Sequence, residues 1–213
     1  MPICFDLDGT LGTFGGGYLL LREVLGELWG APPKPQELKA CRGSTDWEIV
    51  DELHRSRFGS ALDDSDFQEF EARCLARFRA TFHQEGQLPV AFRGIIEGLH
   101  LLVARGHATW LVSGNVPPVL DFKAQALRID EHIPRLGSLP GCSRADLIRL
   151  AMRDNPGPHL YVGDRPHDRE AAEAAGVPFL CIGDAVPGDH PVLTMEAEAE
   201  HLVAMVEQLV ARD

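Results

Sequence analysis

From about residue 89 onward, short apolar runs alternate with stretches patterned for helix, and this alternation limits the possible folds more than any other feature of the chain. Helical periodicity over 91–105 stops at Gly106, and 108–113 (Ala-Thr-Trp-Leu-Val-Ser) then reads as a buried strand. A helix near 118–127, a strand over 135–138, a helix over 144–153 and a strand over 159–162 follow. A helix over 167–175, a strand over 178–182 and a helix over 195–211 complete the series. Strands separated by helices call for a parallel sheet covered on both faces, because a parallel strand can start only after a long crossover.

The first strand, residues 2–5, stands apart from this series. It runs into Asp6-Leu7-Asp8-Gly9-Thr10, then Gly12 and Gly15-Gly16-Gly17, a flexible exit. The block that follows shows helix patterns only. One covers 18–29 and ends at Gly30 before Pro32 and Pro33. Thr45-Asp46-Trp47-Glu48 matches a capping box and opens a second, to about His54. A third, around 66–82, spaces Phe67, Phe70, Cys74, Phe78 and Phe82 three or four apart. The expectation is one α/β core, residues 1–13 and 89–213, with an all-helical cap, 14–88, inserted after the first strand. At 213 residues and 45% apolar content, such a core needs no disulfide or metal staple.

Composition narrows the function. Thirty-two acids against twenty bases give a formal charge of −12, a field that repels a phosphate backbone, so no nucleic-acid partner is expected. No apolar run reaches the ~20 residues of a membrane span. The five cysteines are scattered and odd in number, and the first residues show no secretory pattern. A cytoplasmic protein without membrane partners, monomeric or weakly dimeric, is expected.

Ligands in open α/β sheets bind beyond the carboxyl ends of the strands. There the sequence places Asp6 and Asp8, then Ser113-Gly114-Asn115, then Asp164, with Asp168 four residues on. Carboxylates gathered together need a counter-charge, and an all-oxygen ligand set suits a hard divalent cation, Mg²⁺ first. Such a cation can neutralise and align a phosphate. Of Asp6 and Asp8, one can act as nucleophile and the other as general acid and base. Ser113 offers a hydroxyl, and the amides of Gly114 and Asn115 can face phosphate oxygens.

These segments, Phe5-Asp6-Leu7-Asp8-Gly9-Thr10-Leu11, Ser113-Gly114-Asn115 and Gly163-Asp164-Arg165-Pro166-His167-Asp168, resemble motifs one, two and four of the haloacid dehalogenase superfamily. The helical insertion resembles the type-one cap of its phosphoglycolate phosphatase and β-phosphoglucomutase branch. The resemblance implies a Rossmann-like core and a phosphoaspartyl mechanism, with Asp6 as nucleophile and Asp8 as acid and base. It also implies Mg²⁺ held by the Asp6 carboxylate, the Asp8 main-chain carbonyl and Asp164, with support from Asp168. The superfamily's third motif is a lysine. Here the matching stretch, 141–147, has none, and Arg144 takes the slot; Lys123, in the preceding helix, falls too early. Arginine keeps the charge and adds a two-armed fork.

The leading expectation is thus a Mg²⁺-dependent phosphatase of a small phosphorylated metabolite. The alternatives are a phosphomutase and a phosphate- or partner-binding module without turnover. His167 reads as a loop residue, and Thr45 and Glu48 as a helix cap without catalytic role.

Overall fold

The computed structural model describes residues 2–84, 89–153, 155 and 159–211. In chain order the elements are β1 (Pro2–Phe5), β2 (Gly12–Thr13), α1 (Gly17–Trp29), α2 (Pro35–Ala40), α3 (Asp46–Phe58) and α4 (Asp64–Gln84). Next come β3 (Val90–Ala91), α5 (Arg93–Ala104), β4 (Ala108–Val112), α6 (Pro117–Ala126), β5 (Arg135–Leu136) and α7 (Arg144–Met152). The chain closes with β6 (Leu160–Gly163), α8 (Pro166–Ala175), β7 (Phe179–Ile182), β8 (Val192–Leu193) and α9 (Ala199–Val210).

Six strands form one sheet in the order β5-β4-β1-β6-β7-β8, every pair parallel. Side chains along each strand alternate between the two faces, as a pleated ribbon requires. Ile3, Phe5, Leu111 and Val162 share one face with Ile95 and Leu99 of α5, Leu120 of α6 and Val206 of α9. Cys4, Val112, Tyr161 and Cys181 face the other way, onto Leu147 and Ile148 of α7 and Ala172 of α8. Burial on both faces is why these strands read as continuous apolar runs.

The chain first lays β4 and β5 on one side of β1, then crosses to build β6, β7 and β8 on the other. This reversal opens a crevice at the carboxyl end of β1. Phe5 lies opposite Leu111 on one side and Val162 on the other, so the residues that follow all three strands emerge on the same edge.

Helices α1–α4 lie between β2 and β3, which pair antiparallel as a two-stranded stem. Their apolar faces make a cluster of their own, including Leu21, Leu25, Val50, Phe67, Phe70 and Phe78. Val116, Val119 and Phe122, in and just before α6, join that cluster, so the helical block rests on α6. Thr45 caps α3 as its sequence suggests, its Oγ1 accepting from the Glu48 amide at 3.2 Å.

Some elements differ from expectation. Between the first two expected helices, Pro35 starts the short α2, where a proline has no amide hydrogen bond to lose. β2, β3 and β8 have two residues each, too few to carry a period. α9 starts at Ala199 rather than 195, with Ala197 buried ahead of it. Residue 88, the expected end of the insertion, lies outside the described residues. Among those described, no helix is long and apolar enough to cross a membrane.

The contact of α5 with the start of α9 depends on a missing side chain. A Cβ at Gly94 would overlap the Ala197 carbonyl, which is fixed main chain. Gly94→Ala should therefore lower unfolding stability in urea by ~1–3 kcal/mol, the usual cost of overpacking. An unchanged midpoint would show that the helices can separate freely.

Candidate active site

The crevice gathers acids from two distant parts of the chain. Asp6 follows β1 and its amide donates to the Val162 carbonyl at 2.9 Å, fixing its direction. Asp164 follows β6, and Asp168 sits in the first turn of α8. One carboxylate oxygen from each of Asp6, Asp164 and Asp168 falls within 4.8 Å of the others, and all three residues are buried. The turn of α8 holds Asp168, whose Oδ2 accepts from the amides of Asp164 (3.1 Å) and Arg165 (3.0 Å). Thr10 donates its hydroxyl to Asp164 Oδ1 at 3.2 Å. Gly9, at φ +88°, passes so close that a Cβ there would overlap the Asp164 carboxylate.

Arg144, the first residue of α7, sends its guanidinium into this cluster. Nη1 donates to Asp6 Oδ1 at 3.0 Å and Asp168 Oδ1 at 2.5 Å. Nη2 donates to the Ser44 carbonyl at 2.7 Å. Nε is buried with no hydrogen-bond partner among the described residues. Burial works against the guanidinium charge, but Asp168, the Tyr161 hydroxyl and Asp6 more than restore it. Burial, then the nearby Asp168, pushes the Asp6 carboxyl well above the carboxylate range despite the opposing pull of Arg144. The same two causes raise Asp164 to about 6. One guanidinium thus leaves the cluster short of positive charge, and a divalent cation would supply it. The all-oxygen donors fit a hard ion.

Asp8 has other partners than these acids. Lys123 Nζ donates to its Oδ2 at 2.6 Å and its Oδ1 at 2.8 Å, and to Asn115 Oδ1 at 2.8 Å. Asn115 Nδ2 in turn donates to Asp8 Oδ2 at 2.6 Å and to the Ser113 hydroxyl at 2.8 Å. Lys123 is buried, its ammonium 4.8 Å from the Phe78 ring centroid and 5.2 Å from that of Phe14. The lysine judged too early in the sequence thus reaches the site, because α6 starts right after Ser113-Gly114-Asn115 and Lys123 lies two turns along it. The polar partners needed by a lysine in an apolar helix face were the signal available.

A segment of the helical block closes over the crevice. The Asp46 amide donates to the Gly114 carbonyl at 2.7 Å, and the Val116 amide donates to Asp46 Oδ2 at 2.8 Å. The Trp47 amide donates to the Ser138 hydroxyl at 2.8 Å. Gly114 is obligatory here, since a Cβ would strike the Ser44 carbonyl and the Arg144 guanidinium. Burial raises Asp46 to about 6. Beneath this segment lies a cavity of about 560 Å³ lined by Asp6, Asp8, Ser113, Asn115, Arg144 and His167 among others.

The structure therefore brings Asp6, Asp8, Ser113, Gly114, Asn115, Arg144, Asp164 and Asp168 to one place. The Asp8 carboxylate stands apart from the acid cluster, engaged by Lys123. The Asn115 side chain holds Asp8 and Lys123. His167 belongs to α8 rather than to a loop, and burial, then the Arg144 charge, lowers its pKa to about 4.

A match to the family described as haloacid dehalogenase-like hydrolase spans residues 3–182. Among solved structures, a hydrolase from Pseudomonas syringae is similar at a TM-score of 0.71 and 18% identity, over 98% of this chain and 99% of its own. CbbY from Rhodobacter sphaeroides, in complex with phosphate, is similar at 0.65 and 18% identity, over 92% of this chain and 94% of its own. A protein described as a predicted phosphoglycolate phosphatase from Haemophilus somnus gives 0.58 and 18%, over 97% and 96%. At these identities the likeness concerns the fold. No match was found among curated proteins.

The raised acids make a prediction about stability. Asp6 and Asp164 keep protons in the folded protein that the unfolded chain releases near ~pH 4. Stability from this cluster is therefore greatest at acid pH and falls as pH rises through about 6, the folded value of Asp164. A bound cation replaces those protons, so Mg²⁺ should raise the thermal midpoint more at pH 8 than at pH 5. An equal effect at both values would place the cation elsewhere.

Proposed function

The chain belongs to the haloacid dehalogenase-like hydrolase family, and we propose that it is a Mg²⁺-dependent phosphatase acting on a small phosphorylated metabolite through a phosphoaspartyl intermediate. The observation that carries this reading is the buried cluster of Asp6, Asp164 and Asp168 with the Arg144 guanidinium bonded into it, at a cavity lined by Asp6, Asp8, Ser113 and Arg144.

Asp6, ionised, attacks phosphorus, and the bond from phosphorus to the ester oxygen breaks. Asp8 in its acid form gives that oxygen a proton. Asp8, now a carboxylate, takes a proton from water as the water oxygen attacks the phosphorus on Asp6, releasing phosphate and restoring both groups. Lys123 and Asn115 fix the position of the Asp8 side chain through their bonds to it. Ser113 and the neighbouring amides line the phosphate position, and Arg144 stabilises the charge that builds on the equatorial oxygens. Mg²⁺, held by Asp6, Asp164 and the Asp8 carbonyl, would neutralise phosphate charge as a Lewis acid. Asp168, with Oδ1 and Oδ2 occupied by Arg144 and two amides, acts as a support for that arrangement. Two carboxylates with separate partners suit phosphoryl transfer; a lone aspartate would suffice for displacement at carbon.

Phosphate release from a panel of phosphate esters should require Mg²⁺ and disappear in Asp6→Asn. Arg144→Ala should reduce kcat/KM by ~10²–10³, the usual cost of removing one charge-stabilising donor. Arg144→Lys should fall between that and the parent, since the charge remains while the Ser44 bond is lost. Full activity of Asp6→Asn would remove the assigned nucleophile, and equal losses in the two Arg144 variants would remove the proposed role of that residue.

A further inference from the structure

The cavity that begins at Asp6 changes character as it enters the helical block. Toward the helical block its lining is mostly apolar, Leu21 (α1), Ile49 (α3), Phe70 and Phe78 (α4) and Phe14, with the hydroxyl residues Tyr18 and Thr45 among them. Among the described residues, α1–α4 contribute no lysine, arginine or histidine to the lining, and their only charge there is Asp46. The remaining cations are on the core. Lys123 is bonded to Asp8 and Asn115, Arg144 to Asp6 and Asp168, and Arg165 lies beside Asp164 at 3.5 Å. A substrate with a second phosphate or a carboxylate would place that anion against aromatic rings and an acid, and the cations nearest it, Lys123 on the Phe14 and Phe78 rings and Arg165 at Asp164, are already held by acids of the core. Such burial is strongly unfavourable.

We propose that the substrate's leaving group is uncharged and largely apolar or aromatic, so that the enzyme hydrolyses monophosphate esters of hydrophobic alcohols or phenols rather than bisphosphates or phosphorylated acids. This rests on the phosphatase reading of the same cavity. The phosphate end is held by Asp6, Arg144 and the Ser113 segment, and the organic end gains from removing its apolar surface from water. Preference then comes from two opposing terms: contact with the rings for a hydrophobic group, and an unpaired charge for an anionic one. Of the readings left open by the sequence, a mutase cycling through a bisphosphate fits such walls least.

The test has a turnover arm and a binding arm. In the first, the Mg²⁺-loaded protein is assayed with benzyl phosphate, phosphoglycolate and glucose 6-phosphate. Benzyl phosphate should show kcat/KM at least ~10-fold above the other two, in line with what apolar contacts contribute to discrimination. Ile49→Lys, which puts a cation into the wall from a half-buried position, should lower that ratio. In the second arm, calorimetry compares benzylphosphonate with phosphonoacetate, neither of which can be hydrolysed at an ester oxygen. Tighter binding of benzylphosphonate without turnover of any ester would keep the ligand class and reject the phosphatase. Turnover of phosphoglycolate or the sugar phosphate above the benzyl ester would keep the phosphatase and overturn the ligand class. Tighter binding of phosphonoacetate would likewise overturn it.

Discussion

Carboxylates repel one another, and this molecule buries three of them within a few ångströms at the end of a parallel sheet. What makes that tolerable is the guanidinium of Arg144. A single nitrogen, Nη1, reaches both Asp6 and Asp168, while Nη2 points the other way and holds the main chain of Ser44. An ammonium group carries its donors on one atom and could not span the two sides. Arg144 therefore joins the acid cluster to the segment that closes over it. Even so, burial and then the neighbouring Asp168 displace the Asp6 and Asp164 carboxyls upward.

α6 makes the second connection between core and cap. From one helix, Lys123 reaches Asp8, and Val119 and Phe122 enter the apolar cluster of α1–α4. Phe14 and Phe78 cover the ammonium, so the packing of the cap and the position of Asp8 depend on the same few side chains. Low-dielectric surroundings strengthen the Lys123–Asp8 bond, and the same rings form part of the wall a substrate would touch.

The alternating texture after residue 89 was enough to place the sheet, because strands buried on both faces stand out as apolar runs between amphipathic helices. The strand ends carrying Asp6, Ser113 and Asp164 were legible for the same reason. Arg144 could be named from its position at a helix start, although its split contact with Asp168 and Ser44 depends on tertiary geometry. Lys123 was missed because distance along the chain was taken as distance from the site, and two turns of helix undo that equivalence. The two-residue strands of the stem and β8 hold no periodic signal at all. Cap residues such as Ile49 and Phe78 look like ordinary core in the sequence; only the folded arrangement shows that they also face the cavity.

Attack by Asp6 on phosphorus leaves a chemical trace. After acid quenching during turnover, borohydride reduces an aspartyl phosphate to homoserine, which mass spectrometry locates by peptide. The mechanism described here requires homoserine at position 6 and nowhere else. Steady phosphate release with position 6 unmodified at every quench time, or with homoserine at another aspartate, would contradict it.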